Sequence, residues 1–278
     1  MRGSLFMPEL PEIQTLVTQL NRVLRGRRIS QVEVRNSSLL ENPQFEFEKK
    51  IVGETIEQVG RRGKYIRMDL SQNLALWFHL GMTGQLFLEP PANDLKPHTH
   101  FILSFFDSPH RLLFRDSRRF GRIALTPAGN REAPEGVRKL GREPKEWDPE
   151  KLVPVLKGRH ARIKSLLLDQ RLVAGLGNIY ADESLHRAGV HPLRRAHNIP
   201  RVKLHRLHQA MGEVLEEAIF YGGSSIDDFI HTDGSKGRFQ EFHRVYGRAG
   251  KDCLGCGTPI RAVKIAGRTS SFCPHCQR

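Results

Sequence analysis

Apolar residues recur along this chain with two different periods, and the change of period divides it. After Pro11, the residues Ile13, Leu16, Val17, Leu20 and Val23 return every three or four positions. That spacing gathers them on one face of an α-helix. Gly26 then stands where a helix C-terminal glycine is expected. The predicted helix therefore follows Pro8 and Glu9 and carries Glu12 in its first turn. Short strand-like segments come next. Ile29, Val32 and Val34 mark one, and segments 56–59 and 65–70 flank the turn Gly60-Arg61-Arg62-Gly63. Others run over 74–80, 85–88, 101–106, 111–115 and 122–126. Turn residues at such short intervals predict an antiparallel sandwich or flattened barrel.

The helical period returns later. Residues 131–150 are rich in proline, glycine and charge and are expected to form a linker. From Asp148, Leu152, Val155 and Leu156 form one stripe, and Ile163, Leu166 and Leu167 another. The longest stripe runs from Leu204 through Leu207, Met211, Val214 and Leu215 to Ala218 and opens at Pro200. Between the stripes lies Gly175-Leu176-Gly177-Asn178-Ile179-Tyr180. It lacks the third glycine and the preceding strand of a dinucleotide-binding fingerprint. A glycine-bearing turn between helices suits a helix-turn-helix arrangement and could offer N–H groups to a phosphate. A plain tight turn fits these residues equally well. Residues 221–250 are rich in Gly, Ser and Asp and read as a long loop, the kind that often serves as a lid.

Charge changes this picture. The net charge is +14, with basic residues exceeding acidic ones by 23 to 19 in 1–150 and by 21 to 11 in 151–278. A spread-out excess fits a polyanion partner, most simply nucleic acid. No apolar run approaches the roughly 20 residues of a membrane span, so no membrane partner is expected. Nor is there a convincing signal peptide. All four cysteines fall near the end, as Cys253-x2-Cys256 and Cys273-x2-Cys276. Four thiolates at this spacing are expected to close a tetrahedral, structural zinc site with no open position for substrate. Two unrelated redox pairs are the alternative. Arg261, Lys264 and Arg268 lie between the pairs, so a zinc hairpin here would present positive charge suited to a DNA backbone.

The stretch Met7-Pro8-Glu9-Leu10-Pro11-Glu12 has a chemistry of its own. If the active chain begins at Pro8, its nitrogen is a free secondary amine with a pKa of about 7.7–8, against about 10.4 for lysine. Such an amine attacks an aldehydic carbon to give a cationic iminium, an electron sink. Glu9 and Glu12 lie beside it as acid/base candidates. The plainer reading is a helix start, which prolines and glutamates also favour.

Taken together, these pieces resemble the formamidopyrimidine-DNA glycosylases, bifunctional enzymes of base-excision repair. The resemblance rests on Met-Pro-Glu-Leu-Pro-Glu at 7–12, Arg-Arg-Gly-Lys-Tyr at 61–65 and His-Leu-Gly-Met-Thr-Gly at 79–84. It continues with Arg-Arg-Phe-Gly at 118–121, Gly-Leu-Gly-Asn-Ile-Tyr at 175–180, Val-Tyr-Gly-Arg at 245–248 and the four cysteines. It implies an α+β multidomain fold: an N-terminal antiparallel β-sandwich, a helical domain with a helix-two-turn-helix, and a zinc hairpin. The expected boundaries are an extension at 1–6, a catalytic sandwich at 7–130, the linker at 131–150, a helical domain at 151–250 and the zinc module at 251–278. A lesion-covering loop is expected at 221–244.

The resemblance also implies roles. Pro8 would attack the sugar C1′ and Glu9 would help open the sugar ring. Lys64 would bind phosphate and assist catalysis, and Arg268 would serve the second strand-cleavage step. His79, His98, Arg118, Arg159, Asn178 and Tyr246 would contact DNA. Met82, Arg118 and Phe120 would fill the void left by an everted base, a step that offsets a few kcal/mol of lost stacking. Zn2+ bound by Cys253, Cys256, Cys273 and Cys276 would be the one cofactor. The partner would be duplex DNA carrying oxidised purines or abasic sites, met by a monomer in a bacterial cytoplasm. Leu10 stands where the endonuclease VIII-like branch usually has glycine, which favours purine lesions over oxidised pyrimidines. If residues 1–6 stay attached, Pro8 is an amide and a non-catalytic DNA-binding protein is the expectation instead.

Overall fold

The structure, a computed structural model, describes residues 7–42, 47–91, 94–129, 131–225, 232 and 234–278. The extension 1–6 and much of the tip of the loop 221–244 therefore lie outside the described residues. The chain forms two compact units. One takes in the chain up to Arg138 together with Gly222–Gly237, the other Lys139–Tyr221 and Arg238–Arg278.

The first unit opens with α1 (Leu10–Leu24). Ile13, Leu16, Val17 and Leu20 are buried on one side of it, as their spacing predicts, whereas Val23, the last of the stripe, is exposed. Strand β1 (Ile29–Val34) and a short α2 (Phe47–Ile51) follow. Then come β2 (Ile56–Arg62), β3 (Tyr65–Leu70), β4 (Leu74–His79), β5 (Gly84–Glu89), β6 (Thr99–Phe105), β7 (Ser108–Asp116) and β8 (Arg122–Pro127). They make two four-stranded sheets, ordered β1-β6-β7-β5 and β2-β3-β4-β8. All pairings within these sheets are antiparallel. The inner faces meet through aromatic side chains. Phe78 of β4 lies 5.8 Å from Phe101 of β6 and 6.0 Å from Phe114 of β7, between ring centroids. This is the expected sandwich. Helix α1 is fastened to β2 by Asn21, which accepts from the Val59 N–H at 2.8 Å, and by Gln14, which accepts from Arg61 at 2.9 Å.

The stretch 131–150 carries more order than its composition suggests. A single turn, α3 (Glu135–Arg138), places Val137 with Ala133 against Ala75, Trp77 and Ala124 on the sandwich. Two apolar residues four apart are too short a pattern to read as a helix. A 3-10 turn at Pro144–Glu146 follows, and then α4 (Pro149–Lys157), whose start is capped by the Asp148 carboxylate.

The second unit continues with α5 (Ile163–Leu168), α6 (Asn178–Arg187) and α7 (Arg201–Phe220). The turn between α5 and α6 is tied by Gln170, which accepts from Gly175 N–H and donates to Leu176 O. Gly175 holds φ +88°, a value that suits glycine. The chain ends in a hairpin, β9 (Arg261–Ile265) and β10 (Arg268–Phe272). Ala266 and Gly267 both have positive φ, as a tight two-residue hairpin turn requires.

Candidate active site and metal centre

In the first unit, Pro8 and Glu9 are both buried where the chain enters α1. The Glu9 N–H, one of the orphan donors of a helix start, donates to Glu12 Oε2 at 2.9 Å. The other oxygen of Glu12 accepts from the Ser224 N–H at 2.7 Å. Glu12 is fully buried, so its two oxygens join the start of α1 to the root of the 222–237 segment. Gly223 is required there. It has φ +77°, and a Cβ on it would stand 2.8 Å from Glu12 Oε1. Further along, Gln19 of α1 accepts from the Thr232 hydroxyl at 3.0 Å. The sequence placed Glu12 beside the proline as an acid/base candidate. The structure uses both of its oxygens to position backbone.

Lys64 sits in the β2–β3 turn, beside Gly63 with φ +55°. The same end of the sheet carries His79, paired in register with Tyr65 on one side and Arg122 on the other. The His79 and Tyr65 rings lie 4.6 Å apart. Burial, then the positive charges of Lys64 and Arg122, push the His79 pKa down to about 4. His79 Nδ1 accepts from the Gly81 N–H at 3.2 Å, which leaves the proton of the neutral ring on Nε2.

Two neighbouring turns carry Met82 in one and Arg118 and Phe120 in the other. Asp116, fully buried at the end of β7, organises them. Its carboxylate accepts from the Thr83 hydroxyl, from Arg118 N–H at 3.2 Å and from Gly121 N–H at 2.6 Å. The Asp116 N–H donates to His98 O at 3.0 Å, which fixes the loop where His98 holds φ +63°. Gly81 and Gly121 permit the approach: a Cβ on Gly81 would meet Phe120 backbone at 2.7 Å, and one on Gly121 would meet Phe114 at 2.5 Å. Phe120 is 46% exposed, with the Arg118 guanidinium 4.7 Å over its ring. A large apolar side chain held out in this way is not core packing.

In the second unit, Asn178 begins α6, and its Nδ2 donates to Thr269 O of the terminal hairpin at 2.9 Å. Its Oδ1 is buried and has no partner among the described residues. Arg268, at the start of β10, and Arg159, just after α4, are both exposed. Tyr246 is positioned through its backbone. Glu183 is buried in α6, and its carboxylate accepts from the N–H groups of Arg244, Val245 and Tyr246 at 2.8–3.0 Å. Burial raises the Glu183 pKa, and the three amides oppose that rise. The hairpin is attached by Asp182. One oxygen accepts from Lys164 at 2.6 Å and from Ser270 Oγ at 2.7 Å, the other from Ser271 N–H at 2.9 Å. Lys164 and Asp182 are both fully buried. Sequence patterns did not single out Asp116, Asp182, Glu183 or Lys164.

Cys253, Cys256, Cys273 and Cys276 converge, with all four sulfurs within 4.8 Å of one another. Two of the separations are 3.9 Å and 3.5 Å. A tetrahedron of sulfurs about 2.3 Å from a zinc ion has edges of about 3.8 Å, so the four donors fit that metal. Four protein ligands leave no position for substrate, which makes the role structural. His186 Nε2 lies 3.8 Å from Cys253 Sγ, a neighbour that the cysteine spacing does not reveal.

Comparison with known proteins gives a consistent answer along the chain. Residues 7–123 match the family model for the formamidopyrimidine-DNA glycosylase N-terminal domain. Residues 140–230 match that for the H2TH domain of the same enzymes, and 250–278 the zinc finger found in FPG and IleRS. The formamidopyrimidine-DNA glycosylase of Pelotomaculum thermopropionicum is 43% identical over 279 residues, covering 98% of this chain and 99% of that protein. The one from Solibacter usitatus is 45% identical over 273 residues, covering 98% and 100%. Among solved structures, a mutant of the Lactococcus lactis FPG protein in complex with Fapy-dG-containing DNA is 34% identical. It superposes with a TM-score of 0.91 over 98% of this chain and 100% of that one.

Proposed function

Because the chain belongs to the formamidopyrimidine-DNA glycosylase family, we propose that it excises oxidised purines from duplex DNA and then cleaves the strand, with Pro8 as nucleophile. One observation carries the assignment of the centre. Pro8 and Glu9 are buried together at the start of α1, and Glu12 ties that start to the root of the 222–237 segment. A free Pro8 amine attacks C1′ of the lesion nucleotide, and the bond from sugar to base breaks. Glu9 moves the proton that opens the sugar ring. The resulting iminium between Pro8 N and C1′ acidifies the C2′ proton. Its loss expels the 3′ phosphate, and a further elimination expels the 5′ phosphate. Lys64 and Arg268 bind phosphate and assist these steps. His79, His98, Arg118, Arg159, Asn178 and Tyr246 contact the DNA, and Met82, Arg118 and Phe120 occupy the void. Zinc, held by the four cysteines, contributes folding energy to the hairpin that carries Arg268. The protein acts as a monomer on chromosomal DNA in the bacterial cytoplasm.

This chemistry needs the Pro8 amine to be free. In an amide, its lone pair is delocalised into the preceding carbonyl and no iminium forms. Borohydride added during reaction with 8-oxoguanine duplex is expected to trap a protein–DNA adduct on a form whose mass shows it to begin at Pro8. A form shown by mass to retain residues 1–7 is expected to bind the duplex without strand cleavage. Equal adduct from both forms would remove Pro8 from the role and turn attention to Lys64. Faster excision of an oxidised pyrimidine than of 8-oxoguanine would correct the substrate class.

A further inference from the structure

Two segments of the helical unit, 159–163 and 194–197, lie side by side as a short antiparallel ribbon. The Ile163 N–H donates to Arg194 O at 2.8 Å, Ala196 N–H to Ala161 O at 3.0 Å and His197 N–H to Arg159 O at 3.1 Å. Arg162 and Arg195 face each other across it. Their neighbours Ile163 and Ala196 are fully buried. Successive side chains of a ladder point to opposite faces, so Arg162 and Arg195 project outward together, and both are exposed. Arg159 and His160 are exposed at one end of the ribbon, and the rings of His160 and His197 lie 4.3 Å apart, tilted by 41°.

Like charges directly opposite on a ladder destabilise it. Residues 157–164 and 191–206 contain no Asp or Glu to relieve them. Arg159, Arg162, Arg194 and Arg195 make no ion pair among the described residues. Several exposed cations elsewhere in the same unit have acidic partners. Arg187 pairs with Glu213 and Glu217, Arg238 with Glu241, Lys145 with Glu216 and Arg171 with Asp169. The ribbon is also firmly held, since Lys157 Nζ donates to the carbonyls of His197 and Ile199. Uncompensated charge on a rigid backbone is costly to the fold alone and suits a partner that brings the missing anions.

We propose that this ribbon is a phosphate-binding surface for duplex DNA, with Arg162 and Arg195 grasping the backbone independently of any lesion. The proposal rests on the reading of the chain as a DNA-acting enzyme and extends its footprint beyond Arg159. Planar guanidinium groups, able to bond phosphate bidentately, suit that partner. Because no base is read, lesion-bearing and undamaged duplexes gain equally.

The test is the salt dependence of binding to undamaged and lesion duplexes, measured by fluorescence anisotropy across a KCl series. R162A/R195A is expected to lower the slope of log K against log salt by about 2 on both duplexes. Affinity at low salt should fall by roughly tenfold, with the ratio of lesion to undamaged binding unchanged. R162K/R195K, which keeps both charges, should restore the slope. An unchanged slope for the alanine pair would overturn the proposal. So would a changed lesion preference, or an equal loss in the lysine pair, which would indicate a disturbed fold. Failure of the broader reading would be seen separately, as wild-type protein that neither cleaves nor is trapped on lesion DNA.

Discussion

Asp116 in the sandwich unit and Asp182 in the helical unit are both fully buried carboxylates, yet they hold chain of very different span. Asp116 accepts from Thr83, Arg118 and Gly121, all within one pair of neighbouring turns. Behind it stands a core of Phe78, Phe101 and Phe114 that already fixes the strands. Asp182 instead reaches Ser270 and Ser271, 88 and 89 residues away, with Lys164 as its counter-charge. The module it secures has a small apolar cluster of Val245, Ile260, Cys253 and Cys273. Where an apolar core sets the frame, a buried acid shapes a turn. Where the module is too small for such a core, an ion pair and a metal hold it in place.

Zinc removal breaks this comparison most severely. Zinc in small modules contributes on the order of 10–16 kcal/mol to folding. Cys253→Ser, or strong chelation, is expected to abolish order across 251–278 while the sandwich keeps its own cooperative melt. Hydrogen exchange resolved by peptide would show it. Equal loss of protection in β3 and β4 would mean that the units do not differ as described.

Asp182→Asn is expected to come next. It removes the counter-charge that faces Lys164 in a dry site, at about 3–5 kcal/mol. Asp116→Asn keeps an acceptor beside its turn and removes charge-assisted bonds, at about 1–3 kcal/mol. Chemical denaturation of both variants checks the order. If Asp116→Asn proved the more damaging, the sandwich core would not be the frame assumed for it.

Much of this frame was legible in the sequence. The helix after Pro11, the strands between 56 and 126 and the thiolate quartet each follow from a period or a spacing that local physics enforces. The ion pair of Lys164 with Asp182 and the bond from Glu12 to Ser224 were not. Each joins residues far apart in the chain, and a period describes only neighbours. Residues 131–150 illustrate another limit. Proline and charge mask a single turn whose Ala133 and Val137 matter only once Trp77 is known to lie beneath them.

Acid probes both units through buried histidines. His79 in the sandwich and His243 in the helical unit have pKa values pushed down to about 4, chiefly by burial. An unfolded histidine titrates near 6.5. Above that value neither state is protonated, and the histidines contribute no pH slope. As pH falls from 6.5 to 4 the unfolded chain takes up the proton and the folded chain does not, so stability falls with pH in that window. Below 4 both states are protonated and the loss levels off. Each group is expected to contribute roughly 1–3 kcal/mol to that loss. His79→Gln and His243→Gln should each flatten part of the fall in Tm between pH 6.5 and 4. A fall unchanged in both variants would assign acid sensitivity to other groups.

Phe120→Ala should have the smallest effect on stability and the most selective effect on function. Its ring is 46% exposed and stacks on the Arg118 guanidinium, so its removal opens no core cavity. Stability should change by less than about 0.5 kcal/mol, as for most surface substitutions. The turn itself is set by Asp116, Gly81 and Gly121 and should keep its shape. What would be lost is the proposed wedge. Evicting a stacked base costs a few kcal/mol, part of which an inserted aromatic ring offsets. Excision of 8-oxoguanine from duplex should therefore slow by about ten- to a hundredfold, since each 1.4 kcal/mol is a factor of ten. Cleavage at a ready-made abasic site, which has no base to evict, should fall by no more than about threefold, well under 1 kcal/mol. Single-turnover rates on the two duplexes, compared with the wild type, measure the difference. Equal slowing on both would make Phe120 general binding surface and leave Met82 and Arg118 to fill the void alone.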